Sequence, residues 1–163
     1  MLNNNVLRPS EQVEVRNVWL EQVLDPDNNL PSVGVVLLDG AMNKCEVTLP
    51  PDIPFVGNAG SLYINKLGTD ETIGDAVFGK DDSVPMKLVV TDTSVIQGER
   101  GKGYGKRLYL EALKSLPAGF GLISHSMLSA DAELIWQWLV DAGVAQERKE
   151  RPNGQLGKYE TTY

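Results

Sequence analysis

The chain predicts a mixed α/β domain, and three observations carry that expectation. Short β-branched runs bounded by Gly, Pro, Asn and Asp occupy residues 33–78. Two segments of helical periodicity follow, each behind an apolar strand-like run. A length of 163 residues with 42% apolar content is enough for one core without metals or disulfides, so 1–163 is read as a single domain.

Residues 5–8 read as a short strand. Pro9-Ser10-Glu11 then looks like a helix entry with Ser10 as N-cap, and apolar residues at 15, 18, 19, 20, 23 and 24 carry that helix to Leu24. Asp25-Pro26-Asp27-Asn28-Asn29 is a turn. Strands are expected at 33–38, 45–49, 61–66 and 73–78, separated by Asp39-Gly40, a Pro-rich loop at 50–60 and a turn at 67–72. The run 86–96 is β-branched like a central strand. Apolar positions 108, 109, 112, 113 and 116 mark one face of the next helix, which Pro117 and Gly119 end. A strand at 121–126 leads to a helix over 129–143, with Ser129 as N-cap, Asp131 and Glu133 at its positive end, and core residues Ala132, Ile135, Trp136, Leu139 and Val140. Residues 156–163 alternate loosely and read as a closing strand.

Composition narrows the function classes. The net charge of −7 disfavours nonspecific nucleic-acid binding and suits cationic partners or amine substrates. The single Cys45 cannot form an internal disulfide, and no metal-ligand cluster accompanies it. The N-terminus lacks the basic and apolar regions of a signal peptide, and no apolar run approaches a membrane span. A cytoplasmic protein with no membrane or nucleic-acid partner is expected; oligomeric state stays open.

Against this acidic background, the stretch 97–107 (QGERGKGYGKR) sets Arg100, Lys102, Lys106 and Arg107 against a lone Glu99. Gly101, Gly103 and Gly105 remove the Cβ atoms that would keep a phosphate from backbone N–H groups, and a helix opens there with its positive dipole end. The stretch reads either as a diphosphate cradle or as a glycine-softened turn with solvated charges. A Walker loop is excluded because Arg100 stands where its first glycine belongs and Arg107 where its hydroxyl belongs. The G-x-G-x-G spacing, two-thirds along the chain, also fails the dinucleotide fingerprint.

Arg100-x-x-Gly103-x-Gly105 resembles the acyl-CoA pyrophosphate loop of the GNAT superfamily of N-acetyltransferases. The preceding strand ending near Val95 and the following helix, strand and helix fall in that family's order, over about residues 86–145. Among its members, the chain resembles the short acetyltransferase-like proteins of tailed bacteriophages. The resemblance implies a mostly antiparallel central sheet, splayed between its fourth and fifth strands and flanked by helices, with acetyl-CoA as co-substrate. It implies an N-acetyltransferase in which an amine, on a small molecule or a protein lysine, attacks the thioester directly. By position, the backbone of Thr93 and Val95 takes the pantetheine arm. The pyrophosphate falls to Arg100, Gly101, Lys102, Gly103, Tyr104, Gly105 and Lys106, and Ser129 touches the arm or acts only as an N-cap.

Asp92 matches the family's carboxylate three residues before Val95, either as general base or water-positioner or as a structural hydrogen-bonding group. A carboxylate inside so apolar a strand would be costly to bury without a partner or a task. Trp136 departs from the family, which often places a tyrosine there to protonate the leaving thiolate; an indole offers only an N–H donor. His125 reads as a satisfied strand histidine. The second reading is therefore a GNAT-fold interaction protein, such as a phage-encoded modulator of a host enzyme in the host cytoplasm, with CoA binding retained or vestigial.

Overall fold

One parallel strand pairing organises the domain. The computed structural model describes residues 8–38, 44–46, 59–80, 84, 86–116, 119–148 and 157–162. Its elements are α1 (Pro9–Leu24), β1 (Val33–Leu38), β2 (Lys44–Glu46), β3 (Ala59–Lys66), β4 (Thr72–Lys80) and β5 (Lys87–Val95). After a 3-10 turn (Gln97–Glu99) come α2 (Tyr104–Ser115), β6 (Gly121–Ser124), α3 (Ala130–Asp141), β7 (Ala145–Glu147) and β8 (Tyr159–Thr161). Among the described residues one sheet runs β2-β1-β3-β4-β5-β6-β8-β7. Every pairing is antiparallel except β5 with β6, which ends at Val90 and Ser124 while β5 continues to Val95. This is the expected mixed, mostly antiparallel sheet with a splay. In chain order the splayed pair is the fifth and sixth strands, because the short β2 adds one to the count.

A β-bulge sets the faces of β5. Val77 faces Asp92 and Phe78 faces Val90, so Thr91 has no register position opposite it, although its hydroxyl donates to the Val77 carbonyl at 3.0 Å. An extra residue shifts the alternation by one. Leu88 and Val90 join the core, Thr91 and Asp92 are exposed, and Thr93 turns back to the core side, where its Oγ1 lies 3.4 Å from the Tyr109 hydroxyl. Asp92 is therefore not buried in an apolar strand as simple alternation implied. Without the bulge it would share the face of Val90.

α1 starts earlier than its capping signal suggested. Arg8, in extended conformation, is the N-cap, and Pro9 follows in the first turn, where its missing N–H costs nothing. Leu20 and Leu24 are buried, but Val15, Val18 and Trp19 of the expected apolar stripe are exposed. Polar ties do much of the docking. The Arg16 guanidinium donates to the Leu116 carbonyl and the Asn17 amide to the Lys114 carbonyl at 3.1 Å, satisfying acceptors at the α2 C-terminus. Glu21 accepts from Lys114 Nζ at 2.6 Å and from Arg107 at 3.4 Å. The Arg107 side chain, 14% exposed, also lies 3.2 Å from Glu111 and 4.0 Å from Asp25.

α3 forms the second flank. Ser129 Oγ accepts from the Ala132 N–H at 3.1 Å as the expected cap, and Gly143 at φ +79° ends the helix in the left-handed conformation. Trp136 is fully buried, edge-on to Tyr109 with centroids 5.8 Å apart and stacked on Tyr159 at 5.9 Å. Glu133 Oε1 accepts from the Tyr159 hydroxyl at 2.6 Å and from Lys158 Nζ at 3.2 Å, tying α3 to β8. The closing strand is thus an inner one, between β6 and the unexpected edge strand β7. The expectations at 5–7, 47–49, 50–58 and 117 lie outside the described residues, as does the side chain of Cys45.

Two predictions follow from this architecture. The Gly157 N–H donates to the Ser124 carbonyl at 2.9 Å, and a Cβ on Gly157 would collide with Ser124 backbone and Oγ. Gly157→Ala should lower stability by about 1–3 kcal/mol, the usual cost of overpacking; an unchanged urea midpoint would refute this close approach. Glu133 is held below the usual carboxylate range, first by the Tyr159 hydrogen bond and then by Lys158. Its contribution is present above the unfolded glutamate value of about 4.3 and is lost as pH falls through the folded value. Glu133→Gln should therefore lose less stability than wild type on acidification below pH ~5, and parallel stability-against-pH curves for the two would contradict it.

Candidate acyl-carrier cleft

The splay opens a cleft of about 700 Å³ between the end of β5, the 97–105 loop and the first turns of α2 and α3. Thr93 and Val95 line its inner wall, Arg100, Gly101, Gly103, Tyr104, Gly105 and Lys106 its loop end, and Ser129 its α3 side. Nine of the sequence-predicted positions are thus brought together. Lys102 and Asp92 are not among the lining residues.

Backbone direction explains the inner wall. The Ile96 N–H donates to the Ile73 carbonyl of β4 at 2.9 Å. Alternation then turns the peptide groups of Val95 and Thr93 away from β4, toward the space that β6 leaves after Ser124. One of these groups is engaged, since Arg100 Nε donates to the Val95 carbonyl at 3.0 Å.

The loop end is built by the glycines and by the start of α2. Gly101 at φ +83° and Gly103 at φ +91° take conformations that L side chains rarely adopt, and Gly103 is the N-cap. Gly105 is different: its requirement is space, because a Cβ there would lie 3.1 Å from Ile135 Cδ1 on α3. No side chain caps the α2 N-terminus, which leaves its first N–H groups facing the cleft.

The cationic island is smaller in three dimensions than in sequence. Arg107 points into the α1–α2 ion cluster, and Lys102 pairs with Glu99 at 2.9 Å, which holds that carboxyl below its ordinary value. Arg100 and Lys106 remain at the cleft as the side-chain cations, with Lys106 Nζ 5.2 Å from the Trp138 ring centroid. Glu99 and Asp131 also line the cleft, so its charge is mixed. Trp138 is half-buried, whereas Leu134 is exposed and belongs to the cleft wall.

Among residues that sequence reasoning did not assign to the cleft, Leu30 lines it and Tyr109 lies behind its wall. Leu30 joins the cleft from the turn after α1, where Asp25 Oδ1 accepts from the N–H groups of Asn29 at 2.7 Å and Leu30 at 3.1 Å. The Asp-Pro signal marked that turn, but its destination depends on α1 docking. Tyr109 was placed only on the α2 face. In the structure its hydroxyl reaches Thr93, and burial raises its pKa. β6 ends at Ser124 rather than at the expected 126, so His125 lies just past the strand, where its Nδ1 accepts from the Met127 N–H at 3.1 Å. Among the described residues there is no cluster able to hold a metal ion and no helix long and apolar enough to cross a membrane.

No family model and no curated protein matches the sequence. Among solved structures, the chain is similar to E. coli YhhK, named as an N-acetyl transferase and solved bound to coenzyme A, at 10% identity, covering 98% of this chain and 94% of that one, with a TM-score of 0.46. It is similar to an IAA acetyltransferase from Bacillus cereus at 14% identity, covering 80% and 96%, with a TM-score of 0.48. A Bacillus subtilis acetyltransferase in complex with CoA is similar at 17% identity over 66% and 76% of the two chains, with a TM-score of 0.44.

Proposed function

We propose that the cleft binds acetyl-CoA and that the protein transfers the acetyl group to an amine. The observation that carries this reading is continuity. The uncapped N-terminus of α2, with Arg100 and Lys106 beside it, opens directly onto the unpaired edge of β5. A diphosphate at the loop and an extended amide-bearing arm against Thr93 and Val95 fit one groove.

In this reading Arg100, Lys106 and the N–H groups around Gly103 and Gly105 hold the diphosphate, Gly101 and Tyr104 shape its wall, and Ser129 flanks the arm as well as capping α3. Lys102 acts at longer range through Glu99. The amine nitrogen attacks the thioester carbonyl, the C–N bond forms, and the C–S bond breaks. Asp92, exposed one residue from Thr93, takes the ammonium proton through water rather than by direct contact. The net negative charge favours a cationic acceptor. The interaction-protein reading draws on the burial of Trp136 at the position of the family's tyrosine and on the exposure of Asp92 outside the cleft. CoA binding without acetylation of any amine or host protein would favour it.

At about 100 times its dissociation constant, CoA should stabilise the protein by about 2.7 kcal/mol. Gly105→Asp is the informative variant. The acidic side chain suits the first turn of a helix, and the nearest atom to the new Cβ is the flexible end of Ile135, yet a carboxylate then stands in the diphosphate position. It should fold normally and lose the thermal shift, while Arg100→Ala should weaken binding by roughly 1.5–3 kcal/mol. A shift with ATP and none with CoA, or a Gly105→Asp protein that binds CoA like wild type, would overturn this assignment.

A further inference from the structure

The buried wall behind Thr93 contains a polar chain that neither the loop nor the sheet requires. Thr93 lines the cleft with its side chain on the core side, and its Oγ1 lies 3.4 Å from the Tyr109 hydroxyl. Tyr109 is 3% exposed, so this phenol oxygen sits beneath the cleft floor without access to bulk water. Trp136, fully buried and edge-on to Tyr109 with ring centroids 5.8 Å apart, leaves its Nε1 without a hydrogen-bond partner. Three polar groups from β5, α2 and α3 therefore lead from the cleft wall into the core. Buried polar atoms are normally satisfied, so an N–H left unpartnered beside a phenol calls for an explanation.

We infer that Thr93 and Tyr109 form a hydroxyl chain that donates to the sulfur of the thioester as it leaves. This rests on the acetyl-CoA reading of the cleft. An arm anchored at the α2 N-terminus and laid along Val95 reaches the inner end of the cleft at Thr93, so its reactive end arrives beside Oγ1. As the C–S bond breaks, the sulfur keeps the bonding pair. Thr93 Oγ1–H, which donates to the Tyr109 hydroxyl in the unliganded protein, rotates to donate to that thiolate, and the Tyr109 O–H then donates to Thr93 Oγ1. The proton released by the attacking amine reaches the sulfur through solvent, so the reaction balances without a net loss from Tyr109. Burial keeps the phenol protonated, which is what a donor chain needs. Thr93 is the catalytic residue of the pair, and Tyr109 is a positioning residue acting through it. The hydroxyl that Trp136 lacks is thus supplied from α2.

The test needs no acceptor. CoA is bound to wild type, Tyr109→Phe and Thr93→Val, and the thiolate is titrated by its ultraviolet absorbance. A donor chain should make the bound thiol about tenfold more acidic in wild type than in either variant, with CoA affinity within about twofold across the three. The double variant should titrate like the single ones, because the two hydroxyls act as one chain. Single-turnover acetylation of spermidine or a lysine peptide should fall in parallel, and the loss should shrink with an acetyl aryl thioester of CoA-like length, whose leaving group needs less stabilisation. Identical thiol titrations in wild type and Tyr109→Phe would overturn the chain while leaving the cleft assignment intact. Loss of CoA affinity in Tyr109→Phe, matched to any change in titration, would reduce Tyr109 to a packing role. Failure of wild type to bind CoA would overturn both readings.

Discussion

The end of β5–β6 pairing at Val90 and Ser124 is the constraint on which the rest depends. β5 runs on for five residues to Val95 without that neighbour, and its outward peptide groups would be costly to leave in an apolar interior. Ser124 cannot extend the pairing, because its carbonyl accepts from Gly157 and its hydroxyl from the Tyr159 N–H at 3.0 Å. The chain then leaves the sheet through His125 and the α3 cap. An unpaired sheet edge beside two helix N-termini is the result, and the cleft occupies it.

The α1–α2 ion cluster decides which charges reach that cleft. Arg107, Glu21, Asp25, Glu111 and Lys114 are each no more than about a third exposed, so removing a single partner would strand a charge away from water, at a typical cost of about 3–5 kcal/mol for a fully buried pair and less here. Arg107 is thereby committed to structure, although it belongs to the same basic run as Lys106. The helix repeat explains the division: adjacent residues on α2 point about 100° apart, so Lys106 faces α3 and the cleft while Arg107 faces α1. The cleft consequently relies on two cations and on backbone dipoles more than on bulk positive charge.

Much of the fold was legible because it is local. The apolar rhythm of 108–113 and 132–139, the Ser129 cap and the glycine punctuation depend on a few residues each, and α2 and α3 formed where those signals lay. α1 was harder to read, since its valines suggested an apolar stripe while its docking uses Arg16, Asn17 and Glu21 against groups about a hundred residues away in sequence. β7 is three residues long, too short for a periodic signal. The glycine loop was found from residue type and spacing and the Thr93–Val95 edge from the family resemblance, whereas Leu30 and Tyr109 join the cleft region only through packing.

By itself the sequence determined where α2 and α3 begin and that an anion-compatible glycine loop precedes α2; both are properties of neighbouring residues. The tertiary structure alone decided which way side chains face. One extra residue at Thr91 moves Asp92 to solvent and Thr93 to the core, and the docking of α1 withdraws Arg107 from the cleft. A strand's alternation is local, but its phase is fixed by the partner strand's register, and a charge's destination is fixed by the nearest countercharge in space.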